Sequence, residues 1–113
     1  MSVNFSTPIS SARFSPDKFA KADLFSGQGL FLGLNCFEPG QVQAPHVHAG
    51  ADKFYYIIAG RARITVGEES QEVASGALVW APAEVEHGVS QVMERTVMLV
   101  GIAPPPRASS RSK

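Results

Sequence analysis

The chain is poor in cysteine and in long apolar runs, and it has no excess of charge of either sign. Cys36 is the single cysteine, so an internal disulfide is excluded, and its apolar surroundings predict a buried, inert thiol. No stretch approaches the ~20 apolar residues of a membrane span, and no signal-peptide pattern opens the chain. Ten acidic and ten basic residues balance, without a basic cluster for nucleic acid. We therefore expect a cytoplasmic protein with no membrane or nucleic-acid partner.

Short strand-like runs, punctuated by glycine and proline, follow one another along the chain with no sustained helical period. Residues 53–59 are β-branched and aromatic, and residues 61–66 alternate polar and apolar side chains. Further apolar runs cover residues 29–37, 76–80 and 97–102. A length of 113 residues indicates one domain. The sequence therefore predicts a single all-β domain.

All three histidines of the chain lie in two short segments, residues 40–48 and 76–87. His46 and His48 are two residues apart, so on an extended strand their side chains leave the same face and can hold one ion together. His87 comes from a distant strand and completes a set of three imidazoles. Imidazole suits zinc, copper, iron and nickel, and three such ligands with open positions are typical of a catalytic metal site.

The spacing of these residues resembles the two sequence motifs of the cupins, a family of jelly-roll barrels. The first motif is glycine, five residues, His-x-His, three or four residues, glutamate, six residues and glycine; it is matched at Gly40, His46, His48 and Gly60. The second is glycine, five residues, Pro-x-Gly, two residues, histidine, three residues and asparagine; its matches are Gly76, Pro82, His87 and Gln91. This resemblance spans about residues 30 to 102 and implies a double-stranded β-helix, the RmlC-like jelly roll.

Two positions depart from the family pattern. Lys53 stands where the first motif has its glutamate ligand, and Glu84 stands where the second motif has a glycine. A protonated lysine has no lone pair to offer a cation. Asp52 is one residue earlier, but alternation turns it away from the face of Lys53 unless a bulge shifts the register. The resemblance therefore implies a three-histidine metal site, with Asp52 as a less favoured fourth ligand.

The three-histidine set resembles that of the cupin dioxygenases for cysteine, gentisate and acetylacetone, which hold iron without the glutamate. Three neutral ligands leave a divalent iron, manganese, nickel or zinc ion with its full charge and open positions. A small organic acid or dicarbonyl can then chelate the ion while Lys53 pairs with one of its oxygens. Lys53, and Tyr55 in register with it, are the candidate catalytic residues. The resemblance thus implies a metal-binding cupin that acts on such a molecule, with a dioxygenase reaction as the leading hypothesis.

Other functions stay open at this point. With zinc, manganese or nickel the same site would polarise a carbonyl for isomerisation or decarboxylation. In another interpretation the barrel is a non-catalytic module that binds a small molecule, and Lys53 marks the loss of the metal. Glu84 and Glu86 are either solvated loop carboxylates or acceptors that orient the imidazole of His87.

The same resemblance suggests how the chain is organised. We expect residues 1–29 to form an N-terminal arm that packs on the barrel, residues 30–102 to form the barrel, and residues 103–113 to form a disordered tail. Alternation places Phe54 and Tyr56 on the outer face of a strand that is apolar on both faces. Covering that face predicts a homodimer, which is common in the family.

Overall fold

The computed structural model describes residues 4–106 and contains two antiparallel β-sheets. Its nine strands are β1 (Ala20–Ser26), β2 (Phe31–Phe37), β3 (Gln43–His46), β4 (Asp52–Ala59), β5 (Arg61–Val66), β6 (Glu69–Ala74), β7 (Leu78–Ala81), β8 (His87–Val92) and β9 (Thr96–Ala103). The one helix in this part of the chain is the four-residue 3-10 helix Pro8–Ser11, and no helix there is long and apolar enough to cross a membrane. The predicted all-β class is confirmed.

The order of the strands is that of a jelly roll. One sheet has the order β1-β2-β9-β4-β7, and the other has the order β3-β8-β5-β6. Several strands pair with partners far away in sequence, such as β2 with β9 and β3 with β8. Such long-range antiparallel pairing between two packed sheets is the Greek-key arrangement of the double-stranded β-helix. The predicted architecture is therefore confirmed.

The main core lies between the two sheets and follows from strand alternation. In β4, the buried positions are Lys53, Tyr55 and Ile57, as the alternation of residues 53–59 predicts. Ala62 and Ile64 of β5 face them from the other sheet and are also buried. Removing these apolar side chains from water is the main source of stability. It also places Lys53, a charged residue, on the inner face of the barrel.

The turn at Gly60 passes the chain from one sheet to the other. Gly60 has φ +98°, and a Cβ atom at this position would overlap the carbonyl oxygen of Arg95. Only glycine combines this left-handed backbone conformation with the absence of a side chain. The turn therefore sets how β4 and β5 face each other across the core.

The N-terminal segment differs from the arm expected over residues 1–29. Its residues 20–26 form β1, which pairs with β2 along the edge of the five-stranded sheet. Ahead of β1, Ala12 and Phe14 pack on a second cluster of buried side chains, formed by Ala22, Leu34, Cys36 and Val97. The boundary near residue 29 thus falls between two paired strands, because the backbone of β1 forms a ladder with β2.

The C-terminal segment differs from the expected tail at its first residue. Strand β9 includes Ala103, the first residue of the segment 103–113. Residues 107–113 lie outside the described part of the chain, and the expected disorder there stays a prediction. Cys36 is fully buried, as expected for an inert thiol.

Candidate metal site

The three histidines of the chain come together in one cluster. One ring nitrogen from each of His46, His48 and His87 can be chosen so that all three lie within 4.8 Å of one another. The ring centroids are 4.3 Å apart for His46 and His87, 4.9 Å for His46 and His48, and 5.2 Å for His48 and His87. A small inward movement of these side chains would let the three nitrogens surround one ion at metal–nitrogen distances of about 2 Å.

Strand register brings two of these histidines together. His46 of β3 and His87 of β8 are directly opposite each other in the antiparallel pairing, so their side chains share one face. The register is irregular between Gln43 and His46, around Pro45, which lacks a backbone donor. Strand β3 is also the edge of its sheet, a position in which proline is tolerated.

Backbone carbonyl groups set the tautomer of both strand histidines. The Nδ1 atom of His46 lies 3.0 Å from the carbonyl oxygen of Ala44, and that of His87 lies 3.0 Å from the carbonyl oxygen of Val85. Because a carbonyl oxygen only accepts, each Nδ1 carries the proton and donates it. Each Nε2 therefore keeps its lone pair, which is the arrangement that a metal-binding histidine needs.

His48 is held in a different way from the prediction of two histidines on one strand. It lies two residues beyond the end of β3, in the loop that leads to β4. The carbonyl oxygen of His48 accepts a hydrogen bond from the backbone N–H of Glu84, at 3.1 Å. The carboxylate of Glu84 in turn accepts one from the backbone N–H of Gly50, at 2.9 Å. Glu84 thus connects the two loops that carry the histidines, and neither of these contacts is with the imidazole of His87.

The backbone at Glu84 explains the glycine of the family motif. Glu84 has φ +69°, a left-handed conformation that favours glycine. The turn between β7 and β8 therefore keeps the backbone shape that the motif encodes. The side chain that replaces glycine gives the loop a carboxylate, which binds the neighbouring loop.

The electrostatics of the cluster favour neutral imidazoles. Burial, followed by the charge of Lys53, lowers the pKa of His48 to about 4. Burial also lowers the pKa of His87 to about 4, and the pKa of His46 is lowered for the same main reason. Neutral imidazole is the form that binds a metal ion, so the three ligands need no deprotonation near neutral pH.

The buried Nε2 atom of His87 provides the clearest test of whether the site fits a metal ion. The Nε2 atom of His87 is buried and has no hydrogen-bond partner among residues 4–106. Leaving a buried acceptor unsatisfied costs about 1–3 kcal/mol, and an ion inside the cluster would remove this cost. Three neutral imidazole nitrogens are a donor set suited to zinc, iron and nickel. The residues therefore fit a divalent transition metal.

Lys53 lies inside the site, at the position of the glutamate ligand in the family motif. Its side chain is only 3% exposed, and its Nζ atom lies 3.5 Å from the Nε2 atom of His46. The same atom lies 4.6 Å from the centre of the Tyr55 ring, a cation–π arrangement. Burial, followed by the charge of Lys21, lowers the pKa of Lys53 to about 7. The repulsion expected between an ammonium and a metal ion is therefore reduced.

Tyr55, the other candidate catalytic residue, lies near the cluster in the interior of the barrel. Its ring centre is 6.2 Å from that of His87, and its hydroxyl donates a hydrogen bond to the side-chain oxygen of Gln43, at 2.8 Å. Both side chains are buried. Gln43 was not identified from the sequence, because a glutamine at the start of an edge strand usually faces solvent. Tyr55 and Gln43 thus form a buried, hydrogen-bonded polar pair near His87.

Asp52 is not part of the cluster. Its side chain is exposed, and its Oδ1 atom accepts a hydrogen bond from the backbone N–H of Ala83, at 2.9 Å. No bulge reverses the alternation between Asp52 and Lys53, since both residues keep their register with β9. The less favoured fourth ligand therefore lies on the outside of the barrel. Glu86 is likewise exposed.

A small cavity of about 40 Å³ adjoins the histidine cluster. Its polar lining residues include His48, Lys53, Lys21 and Asn35. Neither Lys21 nor Asn35 was identified from the sequence. Polar residues that alternate with apolar ones normally predict the outer face of a strand. Here the polar face of β1 is turned toward the interior. Only the pairing of β1 with β2 shows that this face is the inner one.

Comparison with known proteins agrees with this fold. The family model described as "Cupin domain" matches residues 33–102. Protein SCO3923 of Streptomyces coelicolor is 36% identical over 78 residues, which are 69% of this chain and 73% of that protein. The crystal structure of TT1209 from Thermus thermophilus is 37% identical, with a TM-score of 0.86 and coverage of 90% of this chain and 98% of that one.

More distant structures share the fold alone. An RmlC-like cupin from Desulfovibrio desulfuricans is 22% identical, with a TM-score of 0.82, and covers 91% of this chain and 98% of its own. KdgF from a Halomonas species is 19% identical, with a TM-score of 0.77 and 87% coverage of both chains. Because the cupin family model matches most of the chain, and because the barrel has the same fold as these structures, the chain belongs to the cupin family.

Proposed function

We propose that this protein binds a divalent transition metal through His46, His48 and His87 and acts on a small organic acid or dicarbonyl. The observation that carries the proposal is the convergence of three imidazoles, one of which, His87, has a buried Nε2 atom without a partner among residues 4–106. A bound ion would polarise the oxygens of a chelating molecule; with iron this supports oxidative cleavage by dioxygen, and with other metals isomerisation or decarboxylation.

Lys53 gives the site its preference for anions. Its buried Nζ atom lies beside His46, so a carboxylate or enolate oxygen bound at the cluster would come within reach of an ammonium donor. The low polarity of the surroundings strengthens such an ion pair. An anionic ligand also favours the protonated form of the lysine. Lys53 would thus orient one oxygen of the substrate, and Tyr55 would hold the lysine through its ring.

Metal-dependent ligand binding is the first test. Protein stripped with a chelator and reloaded with zinc or iron should bind acetylacetone, a 1,3-dicarbonyl, in a calorimetric titration, whereas metal-free protein should bind it at least about tenfold more weakly. His48→Ala should abolish this dependence on metal. Asp52→Asn is the matched control, because Asp52 is exposed and bonded to Ala83, and it should change nothing. Equal binding with and without metal would overturn the proposal.

Catalysis is separated from simple binding by the consumption of oxygen. A second candidate function is a non-catalytic binding module, favoured by the buried lysine inside the ligand set. An iron-loaded dioxygenase should consume oxygen in the presence of acetylacetone or salicylate, in proportion to the substrate added. A binding module should bind either compound without oxygen uptake. The measurement is made in an oxygen electrode, with the zinc-loaded protein as the control.

We also propose that the protein is a homodimer, with the outer face of β4 and β7 covered by a second copy. Tyr56 is directly opposite Leu78, and Phe54 is opposite Trp80. Leu78 is 69% exposed and Trp80 is 58% exposed. Adjacent exposed side chains of this size favour a protein interface. Sedimentation should give twice the mass of one chain, and Trp80→Glu should give the monomer; a monomeric wild type would contradict the proposal.

A further inference from the structure

The small cavity beside the histidine cluster has several polar side chains in its lining. They include His48 and Lys53 of the proposed metal site, and also Lys21 and Asn35. A water molecule needs roughly 10–15 Å³ of such space, so a cavity of about 40 Å³ takes about three water-sized groups. A carboxylate, with one carbon and two oxygens, has this size. A ligand that reaches the histidines therefore has room to place a second small polar group here.

Strand register brings together two of the polar residues that line the cavity. Lys21 of β1 is directly opposite Asn35 of β2, so the two side chains lie next to each other on the inner face of the sheet. Asn35 is only 5% exposed. Its side chain lines the cavity. The amide N–H groups of an asparagine in this place can donate a hydrogen bond to an oxygen of a ligand bound in the cavity.

The charges around the cavity favour an anion. Its charged lining residues are Lys21, Lys53 and Asp23, and Asp23 is exposed at the rim. Burial lowers the pKa of Lys21, and the Asp23 carboxylate opposes this effect, which favours the charged form of the lysine. The charge of Lys21 is near enough to contribute to the lowered pKa of His46, His48 and Lys53. Lys21 thus belongs electrostatically to the same site as the histidines.

We infer that Lys21 and Asn35 form a second anion-binding subsite, so that the preferred ligand is a dicarboxylate. One anionic group of the ligand lies at the histidine cluster and Lys53, and this half rests on the function proposed above. The other carboxylate occupies the cavity, where Lys21 neutralises its charge and the Asn35 amide donates to one oxygen. Lys21 and Asn35 then determine which small acids bind, without contact with the reacting end.

The test compares dicarboxylates with monocarboxylates of the same length. Malonate and propionate form one pair, and succinate and butyrate form the other. Each compound is titrated by calorimetry into zinc-loaded and metal-free protein. At least one dicarboxylate should bind about tenfold more tightly than its partner, because a second charge-assisted contact is added. Equal affinities within both pairs, or no binding of any of the four, would overturn the inference.

Two variants assign the preference to the subsite. Lys21→Gln should weaken binding of the preferred dicarboxylate about tenfold and that of its monocarboxylate by less than about twofold. Lys18→Gln is the matched control, since Lys18 is exposed and lines a neighbouring groove but not this cavity. It should change both affinities by less than about twofold, because its charge is screened by solvent. A loss that is the same for both acids, or the same in both variants, would contradict the assignment.

Asn35→Leu separates binding from folding. Leucine has the same branched shape and removes the amide donors, so dicarboxylate binding should fall about tenfold while the melting temperature stays close to that of the wild type. A fall in melting temperature with unchanged binding would mean that Asn35 has only a structural role. Metal content, measured in the same samples, tests the proposed function separately, because the preference for two carboxylates is scored against a monocarboxylate whether or not metal is bound.

Discussion

The Nζ atom of Lys53 lies 3.5 Å from the Nε2 atom of His46, where the cupin motif has a glutamate ligand. Reversing this charge should strengthen metal binding. We expect Lys53→Glu to raise metal affinity by about 100-fold, or about 3 kcal/mol, because a carboxylate attracts a divalent ion in a partly desolvated site where an ammonium repels it. A competition titration against a chelator of known affinity measures the change.

Lys53→Met is the control for this exchange. It removes the positive charge without adding a ligand, so its metal affinity should lie between those of the wild type and Lys53→Glu. If Lys53→Glu binds metal no better than the wild type, the residue does not face the ion. The same result in both variants would mean that only the loss of the ammonium matters.

Glu84 combines a left-handed backbone with a carboxylate that binds the His48 loop. Glu84→Ala loses the hydrogen bond to Gly50 and keeps a side chain at φ +69°. Glu84→Gly loses the same bond but relieves the backbone, so it should be more stable than Glu84→Ala by about 1 kcal/mol. Urea denaturation compares the two. If alanine is as stable as glycine here, the left-handed conformation does not persist in solution.

The Tyr55 hydroxyl donates a buried hydrogen bond to the side chain of Gln43. Tyr55→Phe removes the buried hydrogen bond to Gln43 and leaves the amide oxygen unsatisfied, which should lower the free energy of unfolding by about 1–2 kcal/mol. Tyr56→Phe is the matched control on the exposed face of the same strand and should stay within about 0.5 kcal/mol of the wild type. Thermal and urea denaturation provide the measurement; equal effects of the two substitutions would contradict the assigned bond.

The Cys36 thiol should be unreactive and should make the fold sensitive to high pH. Burial raises the pKa of Cys36 above its ordinary value of 9.0. The unfolded chain then loses the thiol proton first as the pH rises, so stability is unaffected below pH 9 and falls above it. Compared with Cys36→Ala, the wild type should lose more stability between pH 9 and pH 10. A thiol reagent should react with the native protein only after denaturant is added.

Residues with a strong local pattern were predicted well. Alternation along residues 53–57 correctly placed Lys53, Tyr55 and Ile57 inside the barrel, and the spacing of the motifs predicted the histidine cluster. Both signals are local in the chain, since alternation follows from the pleat of a single strand.

The features that were missed depend on which strands become neighbours. Lys21 and Asn35 face the interior because β1 joins the edge of the five-stranded sheet, and β1 itself was expected to be part of an arm. The carboxylate of Glu84 reaches Gly50 across two loops that are 34 residues apart in the chain. Non-local contacts of this kind follow from the complete topology, which a pattern of single residues does not encode.

The metal content of the untagged protein is the most direct test of the three-histidine site. Elemental analysis after purification without added metal should give close to one equivalent of a divalent transition metal per chain, and His46→Ala and His87→Ala should each lose it. Asp52→Asn should keep it. A wild type that holds no metal even after reconstitution, or a full equivalent in the histidine variants, would contradict the account.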